Sequence, residues 1–466
     1  MRVIKYTGAI VLAVPLLLLV VMPVAGFFDD ELSQEVVDLV RRMDAEGIEQ
    51  EGNAYFALVG LTAPSGTDIM QAGRRIHEED LRQIEMARKG LDYNGIRQPD
   101  RSNLLKFKGE SSSICSVSND YLYEEGVCKS QSETDRMLSD NRELLARYYR
   151  LLEYKTLVEP PLAQLWVAND VISLQRLAQA DIEKRYQKGE ISKATELLVQ
   201  DLAFWQGLQR GKYHLLSGVV LQVGYSLRIT AVSELLLRWP NLLRNAELKA
   251  VIAEPFHRES SILQAQMDLE FMKLYFVRNG SEAILDQWTD RDKKSSLKWF
   301  ADRLYRRNAT LNSFHGCLRE FYTARASKIE EQESAVGSFS DRRVGIAGLL
   351  TNLTGEMTLY SWCPKRLWLE NLDHSRSEAR RNLVMLQIML LERKIPEAAI
   401  PAFLENADPS LRDPKTGKAA MWNPQRRVAY FSRSDRPQVT GLWVRLDTKG
   451  GFKDHYPDPP EPHCGN

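Results

Sequence analysis

From Gly8 to Ala25 the chain carries no charged residue, with Arg2 and Lys5 before the run and Asp29, Asp30 and Glu31 after it. An uncharged apolar stretch partitions into a bilayer or a translocon, and the basic residues hold the N-terminal side in the cytoplasm. Phe27 and Phe28 extend the run toward the roughly 20 residues of a spanning helix. Residues 1–28 are therefore expected to be a membrane anchor or signal segment, crossing the membrane through residues 8–28. The alternative is a signal peptide cut after Val24-Ala25-Gly26 and a secreted body. A signal core usually spans about 7–15 residues, so the length favours the anchor. The expected place is the inner membrane, single-pass, with the C-terminal body in the periplasm or outside the cell. Gly26-Phe27 followed by Glu31 imitates a prepilin peptidase site, but a prepilin carries its apolar helix after the glycine, and here it comes before.

Past the run the apolar spacing is helical. Leu32, Val36, Leu39, Val40 and Met43 form one stripe of an amphipathic helix. A second helix is predicted from Thr67 to Gly90, after the Ala63-Pro64-Ser65-Gly66 break, and helices resume from Glu133 to Tyr154 on a seam of Leu138, Asn141, Leu145, Tyr148 and Leu152. Ala178, Tyr186, Gly189, Ala194 and Leu198 fit a helical hairpin in which Gly189 ends the first helix and Ala194 permits close packing. This hairpin looks like one tetratricopeptide-type unit, with no second copy at a fixed period. Tyr213 to Trp239 is the most apolar segment after the N-terminal run; its core, Leu215 to Leu227, is apolar on nearly all sides, Val220 and Leu221 included, and predicts a buried central helix. Further helices are expected at 260–277, 295–326 and 375–393. Turn residues then give way to alternating β-branched and aromatic positions around Trp422, Val428, Tyr430 and Phe431, which predict a β-hairpin, with a further strand at Thr440 to Leu446.

The predicted fold class is mainly α: an N-terminal membrane helix, a helical-hairpin body of solenoid or bundle type, and a small C-terminal β-hairpin module. Expected boundaries are 29–160 for a helical region with a disulfide-tied loop at 92–132, 161–404 for the helical-hairpin body, and 405–466 for the hairpin and a Pro-rich tail.

The last stretch, Ser375 to Asn466, resembles the closing module of type II secretion pseudopilins and related envelope proteins. There a long helix leads into an Asp-Pro-x-x-Gly-Lys turn and a short hairpin; here the turn is Asp413-Pro414-Lys415-Thr416-Gly417-Lys418. The resemblance implies an envelope accessory protein. It implies a pilus component less, because the N-terminal half lacks the pilin arrangement.

Lys and Arg together number 62, as do Asp and Glu, and this balance removes the basic stripe that nucleic-acid binding requires. A hydrophobic content of 44% sustains a packed core. Of five cysteines, Cys115 and Cys128 bracket a short polar segment and are the expected disulfide of an exported protein, while Cys317, Cys363 and Cys464 cannot be paired from sequence.

Several motifs dissolve on weighing. Ser295-Ser296-Leu297-Lys298, Ser139-Asp140-Asn141 and Lys415-Thr416-Gly417 spell the three elements of penicillin-binding enzymes, but in the wrong order and without the required core strand. No H-E-x-x-H or G-x-S-x-G occurs, and Gly207 with Gly211-Lys212 misses the phosphate-loop spacing. Glu254, His257 and Glu259 read as a solvated helix start, and His463-Cys464 as too few ligands for a metal. Asn279, Asn308 and Asn352 are sequons without meaning in a bacterial periplasm. No catalytic, cofactor or metal residue is assigned. The expected function is a scaffold or adaptor that binds a protein or peptide partner in the cell envelope. The alternatives are an all-helical envelope enzyme acting on lipid or cell-wall material, and a secretion or pilus accessory factor.

Overall fold

A computed structural model describes residues 30–45, 52–88, 103–109, 131–160, 168–254, 306–326, 374–425, 427–432 and 443–446. These residues are mainly helical. In chain order the helices are α1 (Gln34–Ala45), α2 (Tyr55–Val59), α3 (Ile69–Arg88), α4 (Gln131–Asp140), α5 (Arg142–Leu151), α6 (Ala168–Gln187), α7 (Ile191–Leu208), α8 (Leu215–Arg238), α9 (Ala246–Ala253), α10 (Arg307–Ala326), α11 (His374–Glu392) and α12 (Ile400–Glu405). Strands β1 (Met421–Asn423), β2 (Val428–Tyr430) and β3 (Trp443–Arg445) form an antiparallel sheet in the order β1-β2-β3. Trp422 pairs with Ala429, and Ala429 with Val444. The apolar N-terminal run, the Cys115/Cys128 segment, the predicted helix at 260–277, residues 295–305 and the Pro-rich tail lie outside the described residues.

Helix α8 is the hub. It packs against α6, α7, α11 and β3, with Leu221, Tyr225, Ile229, Val232 and Leu235 in one core that also takes in residues of α2, α5, α11 and the sheet. By length and composition it is the one helix among the described residues that passes for a membrane span, yet 72% of that apolar window is buried within the protein. Burial on several sides explains an apolar surface without a bilayer. Trp239 and Pro240 end it, since proline cannot continue a helix, and Asn245 caps α9 by accepting the Leu248 N–H at 2.6 Å.

The α6–α7 hairpin has the expected anatomy. Gly189, at φ +81°, makes the left-handed turn, Ala194 is wholly buried, and the Tyr186 hydroxyl meets Thr195 Oγ1 at 2.9 Å across the turn.

The helices expected from Glu133 to Tyr154 are two, meeting at Asn141. That buried side chain reaches the neighbouring loop, where it accepts from Lys108 N at 2.8 Å and donates to Lys108 O at 2.9 Å. Asparagine competes with helix backbone in this way. Of the two residues expected at the heart of α8, Leu221 is wholly buried but Val220 only half so.

Helices α2 and α3 meet backbone to backbone. A Cβ on Gly73 would lie 1.8 Å from Phe56 O, and one on Gly60 would lie 1.9 Å from Ile69 O. All five residues of α2 are buried as a result. Nothing in the apolar periodicity marks these glycines.

Candidate functional site

Among the described residues, a buried constellation of polar side chains lies where α5, α6, α7 and α8 converge. Asp201 of α7 and Arg228 of α8 form an ion pair with side-chain exposures of 0% and 1%. Arg228 also donates to Gln179 Oε1 and, at 3.3 Å, to Gln175 O. The second Asp201 oxygen accepts the Tyr148 hydroxyl at 2.9 Å, and that hydroxyl accepts Trp205 Nε1 at 3.0 Å. Gln175 Nε2 donates to Gly224 O at 2.7 Å, and Gly224 has no side chain because the Trp205 ring fills the place of its Cβ. Helical spacing generates the arrangement: Gln175 and Gln179 lie at i and i+4 on α6, Asp201 and Trp205 at i and i+4 on α7, and Gly224 and Arg228 at i and i+4 on α8.

Burial pushes the Asp201 carboxyl above the usual carboxylate range, while Arg228 and the Tyr148 and Trp205 donors pull it back. Burial, reinforced by Asp201, drives the Tyr148 hydroxyl far upward, so it stays protonated and serves as donor. With no member reaching solvent, the centre cannot touch a substrate unless the helices part. Its chemistry is that of a buried network in which the Asp201 carboxylate is bonded through both oxygens while Gln175 Oε1 and Arg228 Nε make no hydrogen bond among the described residues, and it fixes the mutual rotation of four helices.

Two further polar clusters are equally committed. Glu159 Oε2 accepts the His214 backbone N–H at 2.7 Å and Glu159 Oε1 accepts Ser217 Oγ at 2.7 Å, while His214 Nε2 lies 3.0 Å from Pro160 O. A serine, a histidine and a carboxylate thus meet, but the serine donates to the carboxylate and not to the imidazole, so this is no nucleophile relay. It is a carboxylate closing the N-terminus of α8, where the helix dipole favours negative charge. Arg445 of β3 donates through Nε to Glu234 Oε1 of α8 at 3.0 Å and through Nη2 to Glu234 Oε2, a buried bidentate pair. Gln387 of α11 bridges Ser233 O and Arg445 O.

The weighed motifs fall into structural positions. Ser139-Asp140-Asn141 is the α4–α5 junction. In the Lys415-Thr416-Gly417 turn, Asp413 Oδ1 accepts from Lys415 N at 2.9 Å and Gly417 sits at φ +68°. Gly207 and Gly211 let the 155–158 segment lie against them, their Cβ positions falling 2.6 Å from Lys155 O and 1.9 Å from Leu157 O. Glu254 caps the C-terminal end of α9 and pairs with Arg210 at 2.6 Å, whereas His257 and Glu259 lie outside the described residues. The Asn308 amide donates to Asp30 O at 2.8 Å, which engages that sequon. Ser295, Lys298, Asn279, Asn352, His463 and Cys464 are also outside the described residues. Among the described residues no group of three or more His, Cys, Asp or Glu is placed to hold a metal ion.

The sequence left Cys317 unpaired. It is wholly buried on α10 and disulfide-bonded, its partner lying outside the described residues together with Cys115 and Cys128.

His77 of α3 is buried with its Nδ1 3.2 Å from the Tyr55 hydroxyl and its ring edge-on to Tyr55 and Phe56. Burial lowers its pKa below 6.5, against a smaller upward pull from Glu78. A depressed folded-state pKa gives stability that is present above the unfolded value and lost as pH falls through the folded one. Thermal melts between pH 7.5 and 5 should therefore show an acid-side loss that shrinks in His77→Gln; an unchanged slope in the variant would remove His77 as the cause.

No family model, curated protein or solved structure matches the chain.

Proposed function

We propose that the protein is a membrane-anchored envelope protein whose helical body, outside the cytoplasm, serves as a scaffold or adaptor for a protein or peptide partner. The observation that carries this is a stripe on the first half of α8. Leu216 and Val223 are 45% and 39% exposed, and Val219 and Val220 between them are half-buried. Positions 216, 220 and 223 stand at i, i+4 and i+7 on one face, the spacing with which a helix offers apolar contacts to a partner. Most of this helix is otherwise buried, and an apolar patch left open on such a helix supports a role in interaction.

Two features support the address. The uncharged run before Asp29 has the length of a span, with basic residues on its N-terminal side. The Cys317 disulfide fits an oxidising compartment, since such bonds are rare in the cytosol.

A photo-crosslinking amino acid placed at Val223 in cells should give one discrete adduct, and the same residue at exposed Lys193 of α7 should give none. Adding Leu216→Asp should cut the adduct about tenfold or more, because a leucine contact is worth roughly 1.5–3 kcal/mol. Identical labelling from both positions would defeat the proposal.

A further inference from the structure

The segment that follows the apolar run is pinned to α10 at once. The Asp30 carboxylate pairs with Arg306, and Asp30 O accepts Asn308 Nδ2 at 2.8 Å. Glu31 O accepts Asn312 Nδ2 at 2.8 Å, and Ser33 N donates to Asn312 Oδ1 at 2.9 Å. Glu35 then meets Arg319 at 3.2 Å. Contacts from 30 to 35 thus follow contacts from 306 to 319 in the same order, so the emerging chain and α10 run parallel. Both bury apolar residues alongside this polar clasp: Val36 and Leu39 on α1, and Leu311, Phe314 and Leu318 on α10.

Phe28, the last apolar residue of the run, stands two residues before Asp30. Two residues reach at most about 7 Å. With the run in a bilayer, the clasp leaves α10 no slack to swing away from it.

We infer that the N-terminal end of α10, around Arg306, Asn308 and Asn312, is seated at the lipid headgroups, with the helix leading away from the bilayer. This rests on the anchored reading above and adds which end of the body meets the membrane. The partner of this end is the lipid surface itself. The backbone carbonyls of Asp30 and Glu31, which a chain leaving a bilayer would otherwise turn to water, are held by asparagine amides supplied by α10.

The test uses the full chain reconstituted in vesicles of phosphatidylethanolamine and phosphatidylglycerol containing a headgroup-nitroxide lipid. A fluorescent amino acid is placed at Ala309 or at Gly316, where a side chain has open space, seven residues and about 10 Å further along the helix. Strong quenching at Ala309 and weak quenching at Gly316 is the expected result. Replacing the clasp with Asp30→Asn and Asn312→Ala should leave the protein in the vesicles and abolish the difference between the two positions. Equal quenching at both positions in a protein that floats with the vesicles would overturn the seating of α10 and leave the anchor standing. A difference that survives loss of the clasp would overturn the clasp as its cause. A body that separates from the vesicles would overturn the anchored reading, and this inference with it.

Discussion

Arg228→Ala should lower the stability of the protein by about 3–5 kcal/mol, enough to unfold many domains outright. The change strands Asp201 at 0% exposure with no cation, and Gln179 loses its donor. The loss lies in the uncompensated charge and not in the attraction forgone, because two charges taken from water recover little more than their desolvation. A double replacement, Asp201→Leu with Arg228→Met, should therefore be more stable than Arg228→Ala alone, although Tyr148 gives up its acceptor. Urea denaturation followed by circular dichroism measures both. An Arg228→Ala variant with the midpoint of the parent protein would show that the four-helix centre is not what fixes these helices.

The second large effect is expected from a single methyl group. Gly73→Ala places a Cβ where Phe56 O stands, at 1.8 Å, and the obstacle is backbone that no rotamer change can clear. Helices α2 and α3 would have to separate along their whole contact, exposing Tyr55, Phe56 and Leu58, which are now buried. Overpacking usually costs about 1–3 kcal/mol, and a backbone obstacle puts this case at the upper end or beyond. Gly189→Ala is the control. Its Cβ would meet nothing within 4 Å, so it bears only the strain of φ +81°, about 1 kcal/mol. If Gly73→Ala proves as mild as Gly189→Ala in the same denaturation series, the close approach of α2 and α3 is not rigid.

The sequence carried the elements better than it carried their meeting points. Strong periodicity located α3, α8 and α11 to within a few residues, and the Gly189 turn was legible because a left-handed turn after a helix calls for glycine. The α8 stripe was half legible: an all-round apolar helix reads as core, and only the packing decides that Leu221 is covered and Leu216 is not. Asn141 was legible as a position on the helical seam, and it is buried there, but not as the junction of two helices, because its loop partner Lys108 lies far away in sequence. The Asp201–Arg228 centre had no local signature at all. Its members come from four helices, and nothing within one helix says which charge on another will face it. Gly60 and Gly73 were silent for the same reason, because close approach belongs to a pair of elements and periodicity describes one. The Cys317 bond was beyond reach because an odd number of cysteines admits many pairings.

The pairing of Arg445 with Glu234 joins positions 211 residues apart, and Val444 beside it belongs to the same core as α8. A chain that emerges from its N-terminus, on a ribosome or through a translocation pore, makes α8 long before β3. Until Arg445 arrives, 211 residues after Glu234, that carboxylate lacks this guanidinium and the flank of α8 that β3 covers stays open. Closure of the sheet onto α8 thus waits on a long stretch of further synthesis. During that interval a holding chaperone has a defined place to bind, and a chain cut short before β3 would keep α8 formed and still unclosed.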